Sequence, residues 1–482
     1  MLDLNKLDQY RENNRIEAKK AVGGLPDSLW ETYSAFANTL GGVVLLGVEE
    51  YPDKSLHPIG LLAPDWLLTD LWEIINDPQR VSQNILRETD VQVRTIEGKR
   101  IIVINVPRAR RMEKPVFIGG DITVGTYRRS GDGDYRCTPD EVLAMQRDAA
   151  YRTQDMRLLR DRGTDVFDYD SVRSYRMRMS YARPGHIWGG LEDREFLHCL
   201  GALGEDENGE LHPTAAGLLM FGRFAEIRQE FPCYSLTYQE QPGGRNRILS
   251  GSEHWSGNLY DFYNRVDRVF SRQFPDARSP VHTALREALA NCIIHADYCG
   301  KQGIIITRQP DRITFSNPGI MRIDRVAAHS GGISDPRNDL LIRMFFLIDV
   351  GERVGSGIPG IFHTWREQGW SEPILTERFD PEHVTLTLVF GVSRKKRKYI
   401  PSARRSDRTQ LADARKDAII DYLTDHVSGT AADLAPVLRV RPTAARRLLR
   451  RLVQEGIVTA EERPKKKVYR LLEKSHEEEK HK

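Results

Sequence analysis

Cysteine is scarce in this chain of 482 residues: Cys137, Cys199, Cys233, Cys292 and Cys299 stand apart, with no CxxC pair among them. That scatter argues against a zinc site or a disulfide framework and points to a reducing cytoplasm. Long apolar runs are missing too, so neither a membrane span nor a membrane partner is expected. The opening MLDLNKLDQYRENNR is polar and of mixed charge, unlike a signal peptide. No GxxxxGK(S/T) loop occurs, which removes a P-loop helicase from consideration. A net charge of +3 is too small to imply nucleic acid by itself. Its distribution says more, because basic runs gather towards the C-terminus.

What is present supports proper cores. Hydrophobic residues make up 40% and charged residues 29% of the chain, and the length suits about three domains. The stretch 286–298, REALANCIIHADY, organises the rest. Wound as a helix of about 100° per residue, it gathers Leu285, Leu289, Cys292, Ile293 and Ala296 on one core-facing stripe. Glu287, Asn291 and His295 recur at four-residue intervals on the other side, with Tyr298 beside them. Residues 301–319 read as two strands joined at Gln309-Pro310-Asp311, and the glycine-dense VGERVGSGIPG at 350–360 introduces another helix. A polar helix face, a sheet and a glycine loop at a helix start suggest a nucleotide site; an ordinary amphipathic helix is the plainer alternative.

In the first 150 residues, Ser28 is a plausible N-cap for a helix to Leu40, with Glu31 as its capping-box partner. VVLLGVEE (43–50) reads as one strand, followed by a helix near 66–76, strands at 91–96 and 101–106, and a closing helix at 141–148. The elements Glu17-x-Lys19, SAFANT (34–39), Gly41-Gly42 and GVEE (47–50), with the later PVFIGG and TYRRSG, resemble the AlbA-type domain of Schlafen proteins and many bacterial regulators. Some Schlafen relatives are metal-dependent nucleases. The resemblance maps their carboxylates onto Glu12 and Glu17, with Glu50 or Asp53 as a third, a hard-oxygen set suited to Mg²⁺ or Mn²⁺. On a helix Glu12 and Glu17 would face apart; they converge only if the chain is extended or broken between them. In regulators the domain is credited with DNA binding, which Arg128, Arg129 and the Arg108–Arg111 cluster could serve.

Residues 151–190, rich in Arg and Tyr, fit either a connector helix or a basic surface with interleaved aromatics. HPTAAGLLMFG (212–222) is similar to a phrase of the same regulators, with Pro213-Thr214 starting a short helix and Ala215, Ala216 and Gly217 permitting close packing. Four elements in order then resemble the family's divergent ATP-binding region, often labelled RecG-like and distantly similar to GHKL ATPases. They are REALANCIIHADY, ITFSNPG, Pro336-Arg337-Asn338 and GERVGSGIPGI. The resemblance implies ATP and Mg²⁺ as ligands: Asn291 on the metal, Glu287 orienting or deprotonating water, Asn317 in place of an adenine-reading Asp, and His295, Gly319, Gly355 and Gly357 around the nucleotide. The family's HRDY is His295-Ala296-Asp297-Tyr298 here, so an arginine is missing, and no phosphate-neutralising lysine stands in these motifs. Loss of one such cation costs a few kcal/mol of transition-state stabilisation, which favours binding over hydrolysis.

After Phe390 a basic stretch reads as a linker, and three helices (414–426, 430–438, 441–456) with a short hairpin describe a winged helix-turn-helix. Ala445, Leu448, Leu449 and Leu452 would face its core. Arg441, Thr443, Arg446, Arg447 and Arg450 would meet a major groove, and Lys465, Lys466 and Lys467 on the wing would meet phosphates; a protein-binding winged helix is the alternative.

The expectation is an α+β multidomain chain. It comprises an AlbA/Schlafen-type domain (1–150), a connector (151–211), a GHKL-like α/β sandwich (212–390), a basic linker (391–412), a winged helix (413–472) and a disordered tail (473–482). Its function would be a cytoplasmic, dimeric transcriptional regulator that binds double-stranded DNA and senses ATP with Mg²⁺. The alternatives are a Schlafen-like nuclease, used in defence, and a weak GHKL-type ATPase.

Overall fold

Alternating apolar residues in the first 110 positions build a four-stranded sheet. Its order is Ile16–Lys19, Gly42–Leu46, Lys99–Val106, Val91–Ile96, with the first pair parallel and the others antiparallel. Because side chains alternate along a strand, Val44 and Leu46 join a core with Trp30, Phe36 and Leu71, while Leu45 joins a second core with Leu56 and Val103 on the other face. This structure is a computed structural model. It describes residues 3–241, 247–252, 255–274, 279–351 and 356–391, and towards the C-terminus 419, 422–423, 428–438, 440, 442–454, 457–463 and 466–471. The chain divides into two compact units, Met1–Arg394 and Lys395–Lys482. Mixed α and β elements occur in both, in several small sheets.

Two local expectations in the head need correcting. Helix Ser28–Asn38 begins on Asp27, and the Ser28 hydroxyl accepts instead from Lys19 Nζ at 3.1 Å. Glu31, freed from a capping box, accepts from Tyr127 Oη at 2.9 Å. The single strand expected at 43–50 is broken: Gly47 adopts φ +83°, and a separate strand Val48–Glu50 pairs with Leu56–Pro58. Left-handed φ at one residue turns the chain out of the first sheet, which only glycine does at little cost.

Within the same unit, a six-stranded sheet runs Arg247–Leu249, Leu236–Glu240, Ile304–Arg308, Arg312–Pro318, Glu382–Val389, Ile374–Phe379. Every neighbour is antiparallel except Leu236–Glu240 with Ile304–Arg308. Helix Leu259–Gln273 anchors to it through Phe270, whose ring lies 6.2 Å from Phe315 and 6.3 Å from Tyr238. The Arg- and Tyr-rich stretch forms helix Tyr169–Ala182, and Val172, Tyr175 and Met179 bury one face of it in this same core. Arg178 stacks 5.4 Å over Tyr263 and Arg176 pairs with Asp193, so these arginines brace the fold. At Gly217 a Cβ would lie 2.1 Å from Ala202 O, so helix Ala215–Phe221 packs directly on backbone there.

In the second unit, helices Ala431–Val437 and Pro442–Gln454 pack on a three-stranded sheet ordered Gly429–Thr430, Lys466–Leu471, Val458–Arg463. Ala445, Leu449 and Leu452 form the buried stripe with Leu434, Val458 and Tyr469; Leu448 is only partly buried. Of the expected helix 414–426, only Ile419, Tyr422 and Leu423 are described, all helical, with Ile419 and Leu423 in the core. The stretches 392–412 and 472–482 lie outside the described residues.

Candidate functional site

Helix Pro280–Ile294 starts with proline in its first turn and stops one residue before His295. The stop has an identifiable cause: Asn338 Nδ2 donates to Ile294 O, the last carbonyl of the helix, and to Ala296 O just beyond it, both at 2.8 Å. Periodicity expected the helix to run through Tyr298. In fact Tyr298 is buried and donates its hydroxyl to Ile293 O at 2.8 Å, away from the polar face. Glu287 and Asn291 do share that face, one turn apart, and Asn291 Nδ2 donates to Glu287 Oε1 at 3.1 Å. Gly357, at the start of helix Gly357–Glu367, presses onto the same pair.

These residues wall a cavity of roughly 130 Å³. Glu287, Asn291, His295, Asn317 and Gly357 all line it, brought together from three segments of chain. Phe315, Leu375, Val384 and Leu386 from the sheet and Ile320, Met321 and Ile342 supply apolar walls. Asn317 is buried at the end of strand Arg312–Pro318, its amide donating to Pro318 O at 3.2 Å. Burial, reinforced by Arg337 and Arg322, pushes the His295 imidazole down to about 4, so it is neutral near pH 7 and offers one donor and one acceptor. Asn291 Nδ2 is committed to Glu287, so among the described residues the Asn291 side-chain carbonyl oxygen is the acceptor left for a ligand. One hard oxygen of this kind, completed by phosphate and water, suits Mg²⁺, which is rarely caged by protein alone.

Sequence reasoning missed the cations of this site. Arg322, four residues past the NPG turn's proline, lines the cavity, as do Ser334 and Asp335. Arg337 lies behind it, donating to His295 O at 2.6 Å and Ile320 O at 3.0 Å while gripping both Asp148 oxygens at 2.6 and 2.9 Å. Asp148 is held below the usual carboxylate range by these arginines, against the opposing cost of its burial. Gly319 does not line the cavity: its φ is +91°, and a Cβ there would meet Arg337 Nη1 at 2.5 Å. Gly355 lies outside the described residues.

In the head, the condition for Glu12 and Glu17 to converge is met. A turn and the strand Ile16–Lys19 replace any helix, and Glu12 accepts from Ala18 N at 2.9 Å. Burial raises the Glu12 pKa, and Glu17 and Glu50 raise it further. Yet Glu17 is already engaged by Arg129 at 2.8 Å and Lys19 at 3.0 Å, and Glu50 by Lys54 at 3.0 Å. Asp53 turns to Ser55, accepting from its backbone N–H at 3.0 Å. Among the described residues no group of three His, Cys, Asp or Glu is placed to hold a metal. The head arginines expected to meet DNA are mostly internal. Arg129 is buried between Glu17 and Asp134, Arg108 chelates Glu377, Arg111 pairs with Asp335, and Arg128 bridges Glu141 and Asp380; Arg110 is exposed.

Three segments of the chain match known family models. Residues 12–138 match the family model described as "Schlafen, AlbA_2". Residues 301–388, which carry the NPG turn and much of the cavity wall, match the model described as "Putative ATP-dependent DNA helicase recG C-terminal". Residues 143–237, between those two segments, match "Domain of unknown function (DUF8451)". The solved DIP2311 protein of Corynebacterium diphtheriae is 17% identical, covering 95% of each chain, with a TM-score of 0.37. The N-terminal domain of a "Putative ATP-dependent DNA Helicase RecG-related Protein" from Nitrosomonas europaea is 33% identical over 27% of this chain and 88% of that one, with a TM-score of 0.22. No curated protein matches. No helix of the described residues is long and apolar enough to cross a membrane.

In the second unit, Thr443, Arg446, Arg447 and Arg450 lie exposed on helix Pro442–Gln454, opposite its buried stripe, and Lys467 is exposed on the hairpin. Arg441 and Lys465 lie outside the described residues, and the side chain of Lys466 is likewise not described.

Proposed function

We propose that this chain is a cytoplasmic, dimeric DNA-binding transcriptional regulator whose middle segment binds ATP with Mg²⁺ and tunes DNA affinity. The observation that carries the nucleotide half is the convergence of Glu287, Asn291, His295, Asn317 and Gly357 on one cavity with apolar sheet residues opposite. The match of residues 301–388 to a RecG-related segment supports a nucleotide- and DNA-related role. In this reading the middle is a GHKL-like sandwich. Asn291 would hold the metal, Asn317 would read the base, and bound Mg²⁺ would neutralise phosphate charge. The DNA half rests on the second unit, read as a winged helix with Arg441, Thr443, Arg446, Arg447 and Arg450 towards a major groove and Lys465–Lys467 on its wing.

Isothermal titration of ATP with Mg²⁺ tests the central claim: wild type should bind, and Asn291→Ala should bind at least about 10-fold more weakly, the loss of one charge-assisted contact. Binding that ignores the substitution refutes the metal assignment. DNA affinity should shift on adding ATP and Mg²⁺; a flat titration removes the coupling.

Hydrolysis is the second reading, and Arg322 favours it, because it supplies beside the cavity the cation that the motifs lack. Phosphate release lost in Glu287→Gln would establish it. A head nuclease requires Glu17 to leave Arg129 and Lys19; divalent-dependent cleavage of nucleic acid, abolished in Glu17→Ala, would be needed to revive it.

A further inference from the structure

Several hollows of the first unit meet at one side chain. Arg322 lines the Glu287 cavity, the cleft of roughly 1020 Å³ beneath the head, and two small voids beside Asp148 and Lys114. The cavity and the cleft share Arg322, Ile323, Ile333 and Asp335 as a common wall. The Arg322 side chain is only 3% exposed. Its Nη1 donates to Pro336 O at 2.5 Å and its Nη2 to Asp148 O at 2.8 Å, but among the described residues Nε has no hydrogen-bond partner. The nearest carboxylates are loose, Asp148 Oδ1 at 3.8 Å and Asp335 Oδ1 at 3.6 Å.

Both carboxylates are already claimed. Arg337 holds Asp148 through two hydrogen bonds, and Arg111 of the head holds Asp335 at 2.6 Å. Arg322 therefore shares two counter-ions and owns neither. A buried guanidinium with an unmet N–H is costly, and an anion entering the cavity would relieve it. The same arginine touches the head's fastening point, because the Asp148 carbonyl accepts from Arg111 Nη1 at 2.8 Å as well as from Arg322.

We propose that Arg322 is the side chain that recognises a phosphate group in this cavity, and that its capture by phosphate is felt at Arg111 in the head. The inference rests on the nucleotide reading above and adds the recognising residue and the route. With Arg322 turned to phosphate, Asp335 belongs to Arg111 alone, and the turn Arg111–Glu113 tightens.

Full-length protein with Mg²⁺ is titrated with ATP and with adenosine, in wild type, Arg322→Gln and Arg322→Lys. Amide exchange is followed at Glu113 and Lys114, whose N–H groups close the turn. ATP affinity should fall about 10- to 100-fold in Arg322→Gln with adenosine almost unchanged, and Arg322→Lys should recover part of the loss. ATP should slow exchange at the turn in wild type but not in Arg322→Gln. If ATP and adenosine weaken together, Arg322 is merely structural and the proposal fails. Should Arg322→Gln not fold, an unchanged ATP-to-adenosine ratio in Arg322→Lys overturns it equally. Unaltered exchange on ATP binding removes the route to the head. Wild type that binds neither ligand defeats the nucleotide reading and the proposal together, whereas wild-type binding with an unmoved ratio defeats the proposal alone.

Discussion

A methyl group added at Gly357 would lie 2.2 Å from Glu287 Oε1 and 2.9 Å from Asn291 Nδ2. Backbone must therefore touch the acid–amide pair, and Gly357→Ala should force them apart. The expected outcome is nucleotide binding at least about 10-fold weaker, with about 1–3 kcal/mol of stability lost to overpacking; normal titration and melting curves would show that the helix start can shift freely. His295 makes a second residue-scale prediction. Its folded pKa, about 4, lies below the usual 6.5, so between those values the unfolded chain binds more protons. Its contribution to stability is present above about pH 6.5 and lost as pH falls towards 4, up to about 3 kcal/mol. Glu382 and Asp155, raised by burial to about 7 and about 6, slope the opposite way over overlapping windows. The measurement is thus the difference between wild type and His295→Gln in denaturant unfolding across pH 4–6.5; no difference would place His295 in water. Glu287 and Asn291 were legible in sequence because a one-turn spacing is a local property. Arg322 was not, because only the tertiary fold brings it against a helix some thirty residues earlier in the chain.

At the scale of elements, the Pro336–Asn338 turn does more than its three residues suggest. It terminates helix Pro280–Ile294 through Asn338 and ties His295, Ile320 and Asp148 together through Arg337. Asn338→Ala leaves two carbonyls short of a donor in the interior and should cost about 1–3 kcal/mol in urea unfolding. A loss below half a kilocalorie would mean that water replaces the amide. On helix Pro442–Gln454, Arg446 and Arg447 point outward, so replacing both with Ala should change stability by about 0.5 kcal/mol or less. If they contact phosphates, the slope of log affinity against log salt drops by about two; an unaltered slope removes them from the interface. Several helices and strands, such as Val91–Ile96 and Arg312–Pro318, were visible as apolar periodicity, whereas the closing strands Ile374–Phe379 and Glu382–Val389 were not anticipated. The misreadings share a cause: Ser28 lost its capping role to Lys19 from a neighbouring strand, and Gly47 looked like an ordinary strand residue until its φ was seen.

At the scale of the whole molecule, several charges of the first unit that read as surface in the sequence turn out to be fastening. Arg108 with Glu377 and Arg111 with Asp335 join residues more than 200 positions apart, a pairing no local pattern announces. Lys114 sits among them, donating to Asn38 O at 2.5 Å, and burial with the nearby Arg108 lowers its pKa to about 7. Between about pH 7 and 10.5 the unfolded chain holds a proton that the folded one has released. Stability from this site therefore rises with pH across that window, by up to about 1.4 kcal/mol per unit. Lys114→Met should abolish that rise and be the more stable protein at pH 7.5; a variant that melts earlier at every pH would show that the hydrogen bond to Asn38 outweighs desolvation. The six-stranded sheet carries one more consequence, which concerns synthesis. Its strands Leu236–Glu240, Ile304–Arg308 and Arg312–Pro318 are made early, but Glu382–Val389, which brings Val384 and Leu386 to the cavity, is made last of the six. A nascent chain that has reached Pro318 thus carries an open sheet edge and half a cavity until some seventy further residues have been added. Ribosome stalling within that interval would leave the edge available to other chains, which makes 319–381 the stretch where translation speed matters most for this fold.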